Sequence, residues 1–204
     1  MALGGFIERE PRFLEAQARL GTEIVGVDQA KIVYAAAGKR SAIATADLAV
    51  CSAVVVQFED REDSSRRGTF MAHYDPVAIS RFSVKNDILF NSKSIQSPRN
   101  RFNALVVAPG QMDPCSPTSY SPQDGESERV RKLTSSLKEV FGSETPVGVV
   151  GFKPWNKDLN EQLTEVSGST LRGTLLVEYS YDKASPRTLV DGIEVDLSAC
   201  PESV

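Results

Sequence analysis

Histidine is almost absent from this chain: His73 is the only one in 204 residues. Within one chain that excludes the two- and three-histidine zinc sites of the common metallohydrolases. Cysteine is sparse as well. Cys51, Cys115 and Cys200 are odd in number and far apart, whereas a disulfide-stapled domain carries a denser, even set. A reducing compartment is expected, with a Cys115–Cys200 bridge the one pairing left open. Basic charge does not dominate: 23 Lys and Arg face 27 Asp and Glu, for a net charge of −4. That argues against a nucleic-acid partner, which needs a basic face to neutralise phosphates. No window approaches the roughly 18 uninterrupted apolar residues of a membrane span. The opening MALGGFIEREPRFLEAQARLG lacks the basic-then-apolar order of a secretory signal. The expectation is a soluble cytoplasmic protein with no nucleic-acid or membrane partner. A protein delivered into another cell by a specialised secretion system would have the same composition. Phosphate-binding Gly-rich loops, metal-binding helix motifs and G-x-S-x-G are all missing.

What is present supports a folded core. Apolar residues make up 41% and charged residues 25%, a globular balance, and the length suits one domain spanning 1–204. Residues 1–21 read as an N-terminal arm or short helix, with Pro11 in a first turn and Gly21 as a stop. Short β-type runs follow: TEIVGV, KIVYAAA, SAIAT and SAVVVQF, separated by Asp28, Gly38-Lys39-Arg40 and Asp47. The charged stretch 59–68 reads as a solvated hairpin loop, and TFMAHYD as the returning strand, stopped by Pro76. Residues 77–102 give weak signals, a helical turn and then a surface loop. NALVVA is a buried strand, and the Pro-rich segment 109–126 reads as a long loop. Val130, Leu133, Leu137, Val140 and Phe141 form one apolar stripe on a helix over 127–141. PVGVVGF is a further strand, and TLLVEYSYD with GIEVDL a final hairpin. The class is α+β: a mainly antiparallel sheet or sandwich of about seven to nine strands, with one to three helices packed on it.

The chemistry-bearing segment runs from Thr45 to Asp75. Cys51 opens one strong strand and His73 ends the next. The two positions are symmetric about residue 62, inside the connecting loop, so a hairpin brings thiol and imidazole to one end of neighbouring strands. An ordinary thiol, with a pKa near ~8.5, is mostly protonated at neutral pH, and an adjacent imidazole favours the thiolate. The thiolate attacks an amide carbon and the imidazole protonates the leaving amine. Thr45, ahead of Cys51, is placed to orient the ring. The Cys51 backbone N–H, with Ser52, is a candidate oxyanion donor. Taken singly, a cysteine at a strand start is a small buried hydrophobe, a strand threonine is good β chemistry, and Asp47 and Asp75 are turn residues. The combination in sequential strands points to catalysis. Cys115 and Cys200 have no second histidine to activate them, Trp155 reads as core ahead of a substrate-side aromatic, and the cysteines lack the C-x2-C spacing of a zinc site.

The pattern T-x5-C at a strand start, followed by G-x-x-x-A-H at the end of the next, resembles the CheD family of chemoreceptor glutamine deamidases. It also resembles the deamidating toxins typified by cytotoxic necrotizing factor. The specific motif covers 45–75, and a looser likeness in element order runs over 31–155. The resemblance implies Cys51 as nucleophile, His73 as base and acid, and Thr45 as orienting residue. D-x-x-x-C with A-H-x-D is similar to the eukaryotic N-terminal asparagine amidohydrolases, and implies substrate contacts from Asp47 and Asp75. Two departures bear on substrate identity. Ala49-Val50 stands where the deamidases have Gly-Ser, and the Cys-to-His loop is longer and more charged. The expected activity is cofactor-independent, metal-free hydrolysis of a protein or peptide carboxamide, foremost a glutamine side chain, through a thioester. N-terminal asparagine or glutamine hydrolysis, transglutamination and a non-catalytic binding module of the same fold are the alternatives. Oligomeric state is left open.

Overall fold

A computed structural model describes residues 9–36, 38–46, 48, 50–81, 83–113, 116–122, 126–152, 173–179 and 186–195. Two sheets stack face to face. The first runs β1 (Glu23–Ile24), β3 (Ser41–Thr45), β9 (Leu175–Tyr179), β10 (Arg187–Val190), β11 (Ile193–Val195). The second runs β2 (Gln29–Tyr34), β5 (Arg67–Tyr74), β4 (Ser52–Asp60), β6 (Asn100–Asp113), with β7 (Ser116–Pro122) and β8 (Val147–Phe152) both on β6. Only β1–β3 and β6–β8 are parallel pairs among the described strands. Helix α1 (Arg9–Arg19) brings Phe13 against the outer face of the first sheet. Helices α2 (Pro76–Arg81), α3 (Val84–Asn91) and α4 (Glu126–Phe141) cover the outer face of the second. The layers are helix, sheet, sheet, helix. The α+β sandwich is as expected. The described residues hold eleven strands and four helices, more than sequence pattern indicated.

The double coverage explains why β4 reads as an unbroken apolar run. Val54, Val56 and Phe58 point to the helices, while Ala53 and Val55 point between the sheets. The inter-sheet layer is closed by Ile43, Leu175 and Val177 from the first sheet and Met71, Leu105 and Val150 from the second. α4 buries Val130, Leu133, Leu137 and Phe141 as its stripe requires.

Three readings need correction. The segment 109–126 is not simply a loop: β6 extends to Asp113 and β7 returns over Ser116–Pro122. β7 hydrogen-bonds only β6 among the described strands, so its prolines remove donors that no second neighbour needs. The region 77–102 holds α2, α3 and a 3-10 turn at Lys93–Ile95. α3 buries only Val84 and Ile88 and leaves Phe90 exposed, which is why its sequence shows no stripe. The closing hairpin is β10–β11, turned by Asp191 and Gly192 at φ +52° and +78°, the two positive angles of a type I′ turn. No helix of the described residues is long and apolar enough to cross a membrane.

Candidate active site

Thr45 ends β3. Strand alternation sends Ala42 and Ala44 outward under α1, and Ile43 and Thr45 inward between the sheets. His73 lies on β5, two positions from the inward-facing Met71, and so enters the same layer from the opposite sheet. Both side chains are fully buried. They meet across the sandwich, with Thr45 Oγ1 2.8 Å from His73 Nδ1. Thr45 Oγ1 also donates to the Val25 carbonyl at 2.7 Å. A hydroxyl has one hydrogen, and Val25 takes it. The Thr45 oxygen therefore accepts from His73 Nδ1–H, which fixes the tautomer and leaves the lone pair on Nε2. The nitrogen that can act as a base is thereby determined.

Cys51 stands immediately before β4, as a buried thiol. The ladder pairs His73 not with Cys51 but with Ala53. The centre of symmetry is displaced from residue 62, and Cys51 becomes the diagonal neighbour of His73. A shift of two keeps both residues on one face, where a shift of one would have parted them. In a regular ladder such a diagonal spans ~7–8 Å between Cα atoms. Cys51 is 7% exposed while Val50 before it is 59% exposed, so the thiol sits just under the surface at the end of the sandwich. Its backbone N–H donates to the Leu48 carbonyl, closing a turn. The proposed oxyanion donor is thus engaged in this conformation.

The remaining candidates fall elsewhere. Ser52 pairs with Tyr74 and shares its face, on the helix side of the sheet. Its hydroxyl is turned away from Cys51 by alternation, which corrects the expectation of a substrate contact there. Asp75 caps α2: its Oδ1 accepts from Val77 N–H at 2.7 Å, with Pro76 in the first turn. Asp47, Ala49, Cys115, Trp155 and Cys200 lie outside the described residues. Among the described residues no group of three or more His, Cys, Asp or Glu side chains could hold a metal ion.

Sequence reasoning missed Val25 and Asp28. Val25 contributes a carbonyl and so leaves no trace in side-chain type. Asp28 was visible only as punctuation between two β-type runs. Its N–H donates to the His73 carbonyl at 2.8 Å, and its Oδ1 accepts from Asp75 N–H at 3.1 Å.

A groove of about 1290 Å³ opens between the sheets at the far end of β4, lined by Gln57, Arg67, Arg101, Tyr179 and Arg187 among others. It lies away from Cys51 and His73. Cross-sheet bonds from Gln57 to Thr188 and between Thr69 and Tyr179 separate it from the apolar layer. Burial pushes the Tyr179 phenol up to about 12, against the lowering influence of Thr69 and Arg67. Tyr74 is raised further, first by burial and then by its bond to Asp87.

No protein-family model matches the chain, and a search of curated proteins found no match.

Proposed function

We propose that the protein is a cysteine-dependent amidohydrolase that converts a side-chain carboxamide, foremost a protein glutamine, into a carboxylate and ammonia. One observation carries this reading: the Thr45–His73 hydrogen bond, which presents Nε2 as the basic nitrogen on the face that Cys51 shares. The Cys51 proton passes to Nε2, and the thiolate sulfur attacks the carboxamide carbon. Nε2–H then protonates the departing nitrogen, which leaves as ammonia from a thioester. Water gives its proton to Nε2, attacks the thioester, and releases the carboxylate and the thiol. Shallow burial of Cys51 beside an exposed Val50 suits an amide carried on a side chain that reaches down from a macromolecular surface. Engagement of Asp75 in the α2 cap favours an internal amide over an N-terminal one, because that carboxylate already has a backbone partner. Transglutamination shares the thioester and differs only in the acceptor.

A second reading is a binding module of the same fold without turnover. The observation in its favour is the Leu48–Cys51 turn, which must open before the Cys51 N–H can receive an oxyanion. Ammonia release and peptide mass shift separate the two. The substrates are peptides with internal glutamine, internal asparagine or N-terminal asparagine. Wild type should deamidate the internal glutamine. Cys51→Ala should release none, and His73→Ala should fall by about 10²–10⁴-fold. Undiminished release by Cys51→Ala would overturn the enzyme reading.

A further inference from the structure

We infer that Asp28 is a positioning residue for His73, and that the turn carrying it, Gly26–Gln29, together with Val25 just before it, holds the histidine at both ring and main chain. This rests on the deamidase reading only where turnover is measured. The turn closes with Gln29 N–H donating to the Gly26 carbonyl at 3.1 Å, and Asp28 occupies its third position at φ +55°. Glycine is the residue that adopts this angle without cost. Aspartate is one of the few other residues that also adopt it, and here its carboxylate makes a specific bond.

β2 begins at Gln29, which pairs with His73. One residue earlier the chain turns away, and no β2 carbonyl remains to accept from Asp75 N–H. The Asp28 carboxylate takes that place at 3.1 Å, while the Asp28 N–H holds the His73 carbonyl at 2.8 Å. The two bonds bracket Tyr74 and continue the ladder past the end of the strand. On the other side of the same turn, the Val25 carbonyl takes the Thr45 hydroxyl hydrogen, so that the Thr45 oxygen faces His73 Nδ1. One short segment therefore sets the ring's hydrogen-bond partner and the backbone from which the ring projects. α2 starts directly after Asp75, so the clamp lies between the histidine and that helix.

Because the chain has one histidine, its ring nitrogens can be followed by NMR without ambiguity. The test compares wild type, Asp28→Gly and Asp28→Asn at a pH where the ring is neutral. Asp28→Gly keeps the backbone angle and removes the acceptor. Asp28→Asn keeps both. In wild type the two nitrogens should show one fixed tautomer with the proton on Nδ1. Asp28→Gly should move them toward the averaged pattern of a mobile ring and lower kcat by about 10–100-fold with little change in KM. Asp28→Asn should restore both. Folded Asp28→Gly with wild-type nitrogen signals overturns the inference. Should that variant not fold, Asp28→Glu, whose carboxylate is displaced by one methylene, makes the same comparison with the same two outcomes. If wild type hydrolyses no amide while Asp28→Gly still shifts the ring signals, the positioning role stands and the deamidase reading fails.

Discussion

At the scale of single residues the site depends on one hydroxyl hydrogen. Thr45 gives it to Val25 and thereby becomes an acceptor for His73. Thr45→Val keeps the branched shape and removes the oxygen, leaving a buried carbonyl and a buried ring N–H without their partner. The expected loss is about 1–3 kcal/mol of stability, with turnover lowered further than the same destabilisation elsewhere would cause. Thr45→Ser should recover most of both. Denaturant unfolding alongside ammonia release checks this, and a Thr45→Val variant with wild-type turnover would remove Thr45 from the site. The sequence displayed Cys51, His73 and Thr45 because each is a rare or polar type at the boundary of an apolar run. Ser52, read as a helper to the Cys51 N–H, stands next to them in the sequence, and only strand alternation, which depends on the register, turns its hydroxyl away. Val25 acts through its backbone, and no side-chain pattern signals that.

Element pairing explains the glycine of the G-x-x-x-A-H pattern. Gly68 lies in the ladder between Tyr34 on β2 and Phe58 on β4. The two rings meet edge to face over it, with centroids 5.5 Å apart. A Cβ at Gly68 would collide with the Val33 carbonyl oxygen and approach Phe58 Cζ to 2.7 Å. Gly68→Ala is therefore expected to cost about 3 kcal/mol by forcing β2 from β5. The check is a lowered denaturant midpoint at unchanged slope, and an unchanged midpoint would mean that the strands absorb the methyl group. The strands most legible in the sequence were those buried on both faces, such as β4 and β8. β7 and α3 were not, because prolines at an edge and a helix with only two buried side chains carry little periodicity. Asp191-Gly192 was a readable hairpin signal that the longer pairing of TLLVEYSYD with GIEVDL overlooked.

At the scale of the whole molecule, the described residues form a sandwich with an apolar middle, the candidate site at one end and a polar groove at the other. The groove end contains one of the two tyrosines whose titration is displaced by the fold. The Tyr179 phenol titrates near 10 when unfolded and is pushed up to about 12 by burial in the fold. Its neutral form is favoured by folding, so this stability is fully present below the unfolded value and is lost as pH rises toward the folded one. Between pH 9 and pH 11 the loss from this group is about 1 kcal/mol. Tyr179→Phe should flatten that part of the stability profile. Urea unfolding at the two pH values tests it, and an equally steep fall in the variant would assign the effect elsewhere.

Whether His73, oriented by Thr45, activates Cys51 is decided by the pH dependence of Cys51 alkylation. It is followed on the Cys51 peptide by mass spectrometry, in a chain carrying Cys115→Ser and Cys200→Ser. An inflection is expected well below the ~8.5 of an ordinary thiol, returned toward that value by His73→Ala and partly by Thr45→Val. An inflection at the ordinary thiol value, unmoved by His73→Ala, would contradict that activation.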